Sequence, residues 1–220
     1  PLRFTFSRPE SPGIFGWLFH QLEQFDLPYN QAPSLHIILA WLLWLRFRQH
    51  VTGPMRWLVG GGFWLIAVSV MTTWQHHFID VLTGIAAGIA ISYAIPMSGS
   101  WHWQRPSSHA RGLAARYAAA ALLPGLIAWA MPYCAVLLWP AAALLMVAAG
   151  YAGLGTRVFQ KTPEGQISLS ARWLLLPYLV GARLSQRWFS RRLPASSPIS
   201  GGVSLCGFPG THSPPAAVLD

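Results

Sequence analysis

The sequence predicts an all-α protein, a polytopic membrane helical bundle. Only 10% of its 220 residues are charged and 53% are hydrophobic, whereas soluble globular domains carry about 25% charged residues. Its 12 tryptophans fit the same fold class, because Trp concentrates at membrane interfaces. A helix needs about 20 mostly apolar residues to cross the hydrocarbon core. We therefore predict about five transmembrane helices, at residues 34–47, 57–73, 77–97, 115–131 and 133–154.

The distribution of basic residues predicts the orientation of these helices. Of the 15 Lys and Arg residues, only Arg3 and Arg8 fall outside the segments 46–56, 98–116 and the region after the fifth helix. Alternation through five helices places those three regions on one side, and the excess of basic residues makes that side cytoplasmic. We expect an integral protein of the bacterial inner (plasma) membrane. The first and third helices then begin at the non-cytoplasmic face.

The apolar helices divide the chain into five predicted regions. These are a non-cytoplasmic loop (1–33), a helical core (34–97), two further transmembrane helices (98–154), a basic amphipathic segment on the cytoplasmic surface (155–192) and a disordered or truncated tail (193–220). The tail is rich in Pro, Ser and Gly, which bury little apolar surface. The net charge of +9 does not indicate a nucleic-acid partner, because the basic residues are spread between apolar runs.

Ionisable residues stand at the beginnings of the first and third helices. His36 follows Pro33 and Ser34, and His76 precedes Asp80 by four residues. If the third helix begins at this point, His76 and Asp80 share one helical face. Ionisable groups at the membrane are costly and usually functional. Because both helices begin on the same side of the membrane, the two groups are expected to converge there.

The residue types in this cluster predict phosphoryl transfer. A carboxylate beside an imidazole fixes its tautomer and activates the other ring nitrogen. A second histidine can protonate a leaving oxygen, while helix N-termini and arginines bind phosphate. Two other interpretations stay open at this point. Asp80 is also the acid expected at a helix start, and His76, His77 and Asp80 are possible metal ligands.

Two sequence motifs resemble those of the type 2 phosphatidic acid phosphatase (PAP2) superfamily. YNQAPSLH, residues 29–36, resembles the second motif of that family, and QHHFIDVLTG, residues 75–84, resembles the third, whose core is His, three residues and Asp. Arg8-Pro9 resembles the Arg-Pro that ends the first motif. The resemblance covers residues 1–97 and implies a PAP2-like fold.

The resemblance also implies a role for each residue of the cluster. His76 is expected to be the nucleophile that forms a phosphohistidine, Asp80 to orient it, and His36 to be the general acid. The phosphate of a lipid phosphate or phospholipid substrate is expected to be held by Arg8, Arg3 and Ser34. No metal and no cofactor is expected.

Departures from the family pattern narrow the expected reaction. Leu35 stands where Gly is usual, Pro1 where the first motif has Lys, and Val70 where the third motif has a phosphate-binding Arg. This combination is more similar to the inositol phosphorylceramide synthase and sphingomyelin synthase branch. Enzymes of that branch pass a phospho-headgroup between lipids, so headgroup transfer is expected beside hydrolysis.

Other interpretations of the chain are a non-enzymatic membrane protein with a transport or ion path, and an inactive fragment of such an enzyme. The chain begins at Pro1, which favours a fragment. GGVSLCGFP in the tail resembles the opening of the cytosolic dual-specificity phosphatase domain that some bacterial proteins fuse to this membrane domain. We therefore expect a fragment of such a fusion, with the cytoplasmic phosphatase domain missing. No Arg follows Cys206, and no catalytic role is predicted for it.

Overall fold

The structure, a computed structural model, describes residues 10–25, 32–73, 76–96, 99–162, 165–191, 196–200 and 203–206. Eight α-helices occur in the described residues: α1 (Gly13–Phe25), α2 (Leu35–Phe47), α3 (Gly53–Thr72), α4 (Phe78–Ala94), α5 (Ser108–Ala130), α6 (Leu138–Ala149), α7 (Leu169–Leu174) and α8 (Leu176–Ser190). A 3₁₀ turn (Pro132–Leu137) precedes α6, and a π turn (Gly150–Leu154) and a second 3₁₀ turn (Gly155–Phe159) follow it. Two short antiparallel strands, β1 (Ser196–Ser200) and β2 (Val203–Cys206), come last in this order.

The predicted class of all-α membrane protein is confirmed at this level. Within the described ranges, three helical segments are long and apolar enough to cross a membrane: α3, α5 and the continuous run Pro132–Phe159. The other two predicted spans, α2 and α4, are apolar but have 13 and 17 residues, or about 20 and 26 Å of helix. Large apolar side chains point outward, including Trp57 (84% exposed) and Trp129 (83%). Such extensive exposed apolar surface is typical of helices that face lipid.

Two of the long helices begin earlier than the apolar stretches predict. α3 begins at Gly53 rather than 57, and α5 begins at Ser108 rather than 115. Pro54 lies in the first turn of α3, a position that suits proline. The Ser107 hydroxyl accepts a 3.1 Å hydrogen bond from the N–H of Ala110 and caps α5. Hydropathy detects the hydrocarbon-crossing part of a helix, whereas capping residues decide where the helix begins.

Two predicted irregular regions contain regular structure. The expected loop at 1–33 includes α1, a helix of 13 residues that a search for spans of about 20 residues does not detect. The expected tail at 193–220 includes β1 and β2. The strands pair antiparallel, with Ser196 opposite Cys206 and Ser200 opposite Val203.

Helices α2 and α4 run parallel to each other. They approach closely because α4 presents small residues to α2. A Cβ added to Gly84 would lie 2.9 Å from the Cβ of Ile37, and one added to Gly88 would lie 3.0 Å from Cδ1 of Trp41. One turn further along α4, the Ser92 hydroxyl accepts a 3.0 Å hydrogen bond from Nε1 of Trp41. Small residues at four-residue spacing allow such close helix contact in membranes. The N-terminal ends of α2 and α4 therefore lie at the same end of the bundle.

Two apolar clusters hold the helices together. Ile37, Val70 and Val81 form the first, between α2, α3 and α4. The second centres on Val147 and Leu175, where α6 meets the segment joining α7 to α8. At the C-terminal end of α4, the Tyr93 hydroxyl donates a 2.7 Å hydrogen bond to the Val158 carbonyl, and the hydroxyls of Ser92 and Ser170 lie 2.8 Å apart. These contacts connect the first helical group to the residues that follow α6.

The predicted amphipathic segment at 155–192 includes α8. Val180, Leu184 and Trp188 recur at four-residue intervals and are exposed, and Arg183 and Arg187 lie on the same helix. A helix with exposed apolar residues and basic neighbours is suited to lie in a membrane interface.

Candidate active site

The first turns of α2 and α4 are joined by their main chains. The backbone N–H of Ser34, the N-cap residue of α2, donates a 3.1 Å hydrogen bond to the carbonyl oxygen of Asp80 in the first turn of α4. Gly84 permits this approach, because a Cβ at that position would lie 2.9 Å from the Ser34 carbonyl oxygen. The sequence-predicted residues Ser34, His36, His76 and Asp80 are therefore brought to one end of the bundle.

His76 and Asp80 face each other, but not as members of one helix. The helix α4 begins at Phe78 with His77 as its N-cap, so His76 precedes it, and the expectation of a shared helical face is wrong. The N–H of His76 instead donates a 3.0 Å hydrogen bond to the Val70 carbonyl. This places Nδ1 of His76 at 3.6 Å from Oδ2 of Asp80. The distance exceeds that of a hydrogen bond, although catalytic contacts are often long without substrate.

The Asp80 carboxylate is held by the end of its own helix. Its Oδ2 accepts a 2.8 Å hydrogen bond from the backbone N–H of His77. The side chain of Asp80 is only 2% exposed, and the positive end of the helix dipole stabilises a buried carboxylate at this position. The sequence signal for this contact is the three-residue spacing of a capping box, His77 to Asp80. His77 thus contributes its backbone N–H, and its side chain forms the other half of the capping box with the backbone of Asp80.

His36 completes the group of ionisable side chains. It lies in the first turn of α2 and is exposed, while the His76 side chain is 8% exposed. The centroids of the two imidazole rings are 5.7 Å apart, with an angle of 65° between the ring planes. One ring edge therefore points toward the other ring. Two imidazoles at this separation can contact the same phosphate group from different directions.

Of the three predicted phosphate ligands, only Ser34 lies among the described residues. The Ser34 side chain is completely buried, and its hydroxyl has no hydrogen-bond partner among the described residues. Ser34 therefore contributes its backbone N–H, which bonds to the Asp80 carbonyl oxygen. Phosphate binding by its hydroxyl stays a prediction. Arg3 and Arg8 lie outside the described residues.

Val70 lies beside the site, where it contributes packing and a main-chain hydrogen-bond acceptor. Its side chain is 2% exposed and packs with Ile37 and Val81, and its carbonyl oxygen holds His76 as described above. The residue that departs from the family pattern therefore contributes packing and a backbone acceptor. Sequence patterns contain no signal for the second contribution, because any residue type supplies a carbonyl group.

The metal-site interpretation requires three converging ligands. Among the residues that the structure describes, no three His, Cys, Asp or Glu side chains are arranged to hold one metal ion. His76, His77 and Asp80 therefore do not form such a ligand set.

Comparisons of the chain with known protein families, with curated proteins and with solved structures each find no match. The geometry of His36, His76 and Asp80, with the motifs that contain them, is therefore what indicates a function.

Proposed function

We propose that this chain is an integral membrane lipid-phosphate phosphatase or phospholipid headgroup phosphotransferase of the type 2 phosphatidic acid phosphatase superfamily. The observation that carries the proposal is the convergence of His36, His76 and Asp80 at the adjoining N-terminal ends of α2 and α4. The rings lie 5.7 Å apart, and the carboxylate lies 3.6 Å from the inner nitrogen of His76. A histidine nucleophile beside a carboxylate, with a second imidazole nearby, has the residue types for phosphoryl transfer through a histidine, and contacts of this kind are often longer without substrate.

In the first step, Nε2 of His76 attacks the phosphorus atom of the lipid. A P–N bond forms while the bond between phosphorus and the leaving oxygen breaks, and His36 donates a proton to that oxygen. The imidazole of His76 gains positive charge in this step. Asp80 lies on its Nδ1 side and stabilises that charge, as a carboxylate does for a catalytic imidazole.

In the second step, an acceptor hydroxyl attacks the phosphohistidine. Neutral His36 takes the proton of the acceptor, a new P–O bond forms and the P–N bond breaks, which restores His76. Water as acceptor gives hydrolysis, and a lipid hydroxyl gives headgroup transfer. Val70 stands where the third motif of the superfamily usually has an arginine, and the absence of that arginine makes the motifs more similar to the branch that transfers headgroups, which favours transfer.

Membrane placement follows from the same proposal. We infer that α2 and α4 also cross the membrane, which makes five spans in the order predicted from sequence. The basic segments around Arg48, Arg105 and Lys161 then lie in the cytoplasm of a bacterial cell. His36, His76 and Asp80 lie at the non-cytoplasmic face, where the N-terminal ends of α2 and α4 also favour the phosphate of a lipid headgroup.

The proposal is tested with the purified full chain in detergent. One assay measures phosphate release from a panel of lipid phosphates, and a second measures transfer of a labelled headgroup from a phospholipid to a lipid alcohol. We expect activity in at least one assay, resistance to chelators, and loss of activity in His76→Gln but not in His109→Gln, a change at an exposed histidine of α5. Full activity in His76→Gln, or activity that a chelator abolishes, would refute the proposal.

A further inference from the structure

A polar cavity lies at the end of the bundle opposite to the histidine cluster. It has a volume of about 310 Å³ and is formed by the C-terminal end of α2, the first turn of α3 and the residues that precede α7. Its polar lining includes Arg48, Arg56, Gln160, Thr162, Gln166 and Ser168. We call this space the arginine cavity. The 13 residues of α2, about 20 Å of helix, separate it from His36.

The positive charge of the arginine cavity is not neutralised within the described part of the chain. Neither Arg48 nor Arg56 has an ion-pair or hydrogen-bond partner there. Burial lowers the pKa of Arg48, and the nearby charges of Arg56 and Arg172 lower that pKa further. The Arg48 guanidinium is therefore repelled by both neighbours, and an anion beside it would relieve the repulsion.

The guanidinium groups of the cavity suit an anionic ligand. Guanidinium groups donate charge-assisted, often bidentate hydrogen bonds to phosphate oxygens. Arg48 and Arg56 both line the cavity, so a phosphate group bound there would lie beside both.

Arg56 also lines a second, larger space. This apolar groove of about 930 Å³ runs between α2 and α3 and is lined by aromatic and small residues, including Trp44, Trp57, Gly61 and Trp64. A cationic cavity and an apolar groove that share Arg56 in their linings match a molecule with an anionic head and an apolar chain. A free phosphate ion would leave the groove unused.

We propose that the arginine cavity and the adjoining groove bind one anionic phospholipid from the membrane leaflet at this end of the bundle. Its phosphate lies between Arg48 and Arg56, and an acyl chain lies along Trp57 and Trp64. This lipid is distinct from the substrate, because its phosphate is held about the length of α2 away from His76. The proposal does not depend on the phosphohistidine chemistry. The bound lipid would hold α2, α3 and the segment before α7 together.

Binding is measured by native mass spectrometry of the purified full chain, titrated with phosphatidylglycerol or with phosphatidylcholine. We expect one tightly retained phosphatidylglycerol and no comparable retention of phosphatidylcholine. Arg48→Gln and Arg56→Gln should each weaken phosphatidylglycerol binding by about fivefold. The matched control is Arg111→Gln, an exposed arginine of α5 outside the cavity, and it should bind as the unmodified chain does.

Two experiments distinguish a lipid phosphate from a free phosphate as the ligand: competition by small phosphates, and a substitution that fills the groove. Gly61 has no atom within 4 Å of an added Cβ, so Gly61→Leu can occupy the groove without touching the arginines. We expect this variant to lose phosphatidylglycerol and to keep whatever weak affinity the chain has for glycerophosphate. Equal competition by glycerophosphate or inorganic phosphate, with no effect of Gly61→Leu, would overturn the lipid in favour of a free phosphate.

A measurement on the unmodified chain covers the case in which the arginine variants do not fold. A photoactivatable phosphatidylglycerol should crosslink to peptides that contain residues 44–61 and 160–172. Crosslinks confined to other segments would overturn the proposal, as would undiminished lipid binding in folded Arg48→Gln and Arg56→Gln. Glu164 lies outside the described residues. If Glu164→Gln bound the lipid and the unmodified chain did not, the arginines would be paired with Glu164 in the unmodified chain. The proposal would then fail.

Discussion

The N–H of Ser34 donates a 3.1 Å hydrogen bond to the carbonyl oxygen of Asp80, and this contact joins the first turns of two helices that lie far apart in sequence. It requires α2 and α4 to run in parallel and to approach closely, which Gly84 permits. The positions of His36 and Asp80 relative to each other therefore depend on main-chain contact between the helices. Side-chain chemistry at the site rests on this contact.

Gly84→Ala is expected to separate the two helix ends. The added Cβ would lie 2.9 Å from both Ile37 Cβ and the Ser34 carbonyl oxygen, and overpacking of this kind costs about 1–3 kcal/mol. Displacement by about 1 Å at a reacting group can lower activity roughly 100-fold. Thermal unfolding in detergent and the transfer assay measure the two effects.

Gly61→Ala is the matched control for this change. It places the same methyl group in a neighbouring helix where no atom lies within 4 Å, and it should raise helix stability by up to about 1 kcal/mol. Equal losses in both variants would show that close packing at Gly84 does not position the site.

Asp80→Asn should separate orientation of the nucleophile from helix capping. An amide oxygen can still accept the hydrogen bond that Oδ2 takes from the His77 N–H, but the negative charge beside His76 is lost. We expect activity to fall at least about 100-fold with little change in unfolding temperature. Asp80→Ala should lose the same activity and, in addition, about 1 kcal/mol of stability from the missing cap. Near-normal activity in Asp80→Asn would remove Asp80 from the mechanism.

His77→Asn should leave most of the activity intact. His77 donates its backbone N–H to Asp80, and its side chain caps the backbone of Asp80 in return. Asn is among the most favoured N-cap residues and can take over that side-chain cap. Steady-state transfer kinetics of this variant show whether the reaction needs only the His76 ring or the rings of both His76 and His77. Activity as low as in His76→Gln would assign the His77 ring a part in the reaction.

Val70→Arg should destabilise the protein rather than supply a phosphate ligand. Its side chain is 2% exposed within the cluster of Ile37 and Val81, and a buried unpaired charge costs several kcal/mol. Ser69→Arg, one residue earlier and exposed, should be tolerated because a long basic side chain there can reach the interface. The comparison uses folded yield and thermal unfolding. Normal stability of Val70→Arg together with increased phosphate release would contradict the structural role given to Val70.

The convergence of His36 with His76 and Asp80 was predictable from sequence, because alternation of the five predicted spans brings the starts of the first and third to the same end of the bundle. Details within the cluster do not. The true start of α4 at Phe78 places His76 outside the helix, and its position depends on the Val70 carbonyl, which no residue type can signal. Arg3 and Arg8, the predicted phosphate ligands, lie outside the described residues, so their part in the site stays a prediction.

The small residues illustrate the same limit for the fold. Gly84 and Gly88 make the close contacts that small residues predict, whereas Gly61 and Gly62 have nothing within 4 Å of an added Cβ. All four occur in apolar helices, and only the packing of α4 against α2 distinguishes them. Likewise, the 13 residues of α1 fall below the length used to recognise a spanning helix, so composition alone predicts a loop there.

The central claim is that His76 carries the phosphoryl group between donor and acceptor. The most direct measurement mixes the full chain with a phosphate-labelled lipid and stops the reaction rapidly without acid. Peptide mass spectrometry then locates the label. We predict an acid-labile phosphate on the peptide containing residues 76–80, attached at His76 in the unmodified chain, formed more slowly in His36→Gln and absent from His76→Gln. A labelled lipid that turns over without phosphate on His76, or with phosphate on another residue, would contradict the account.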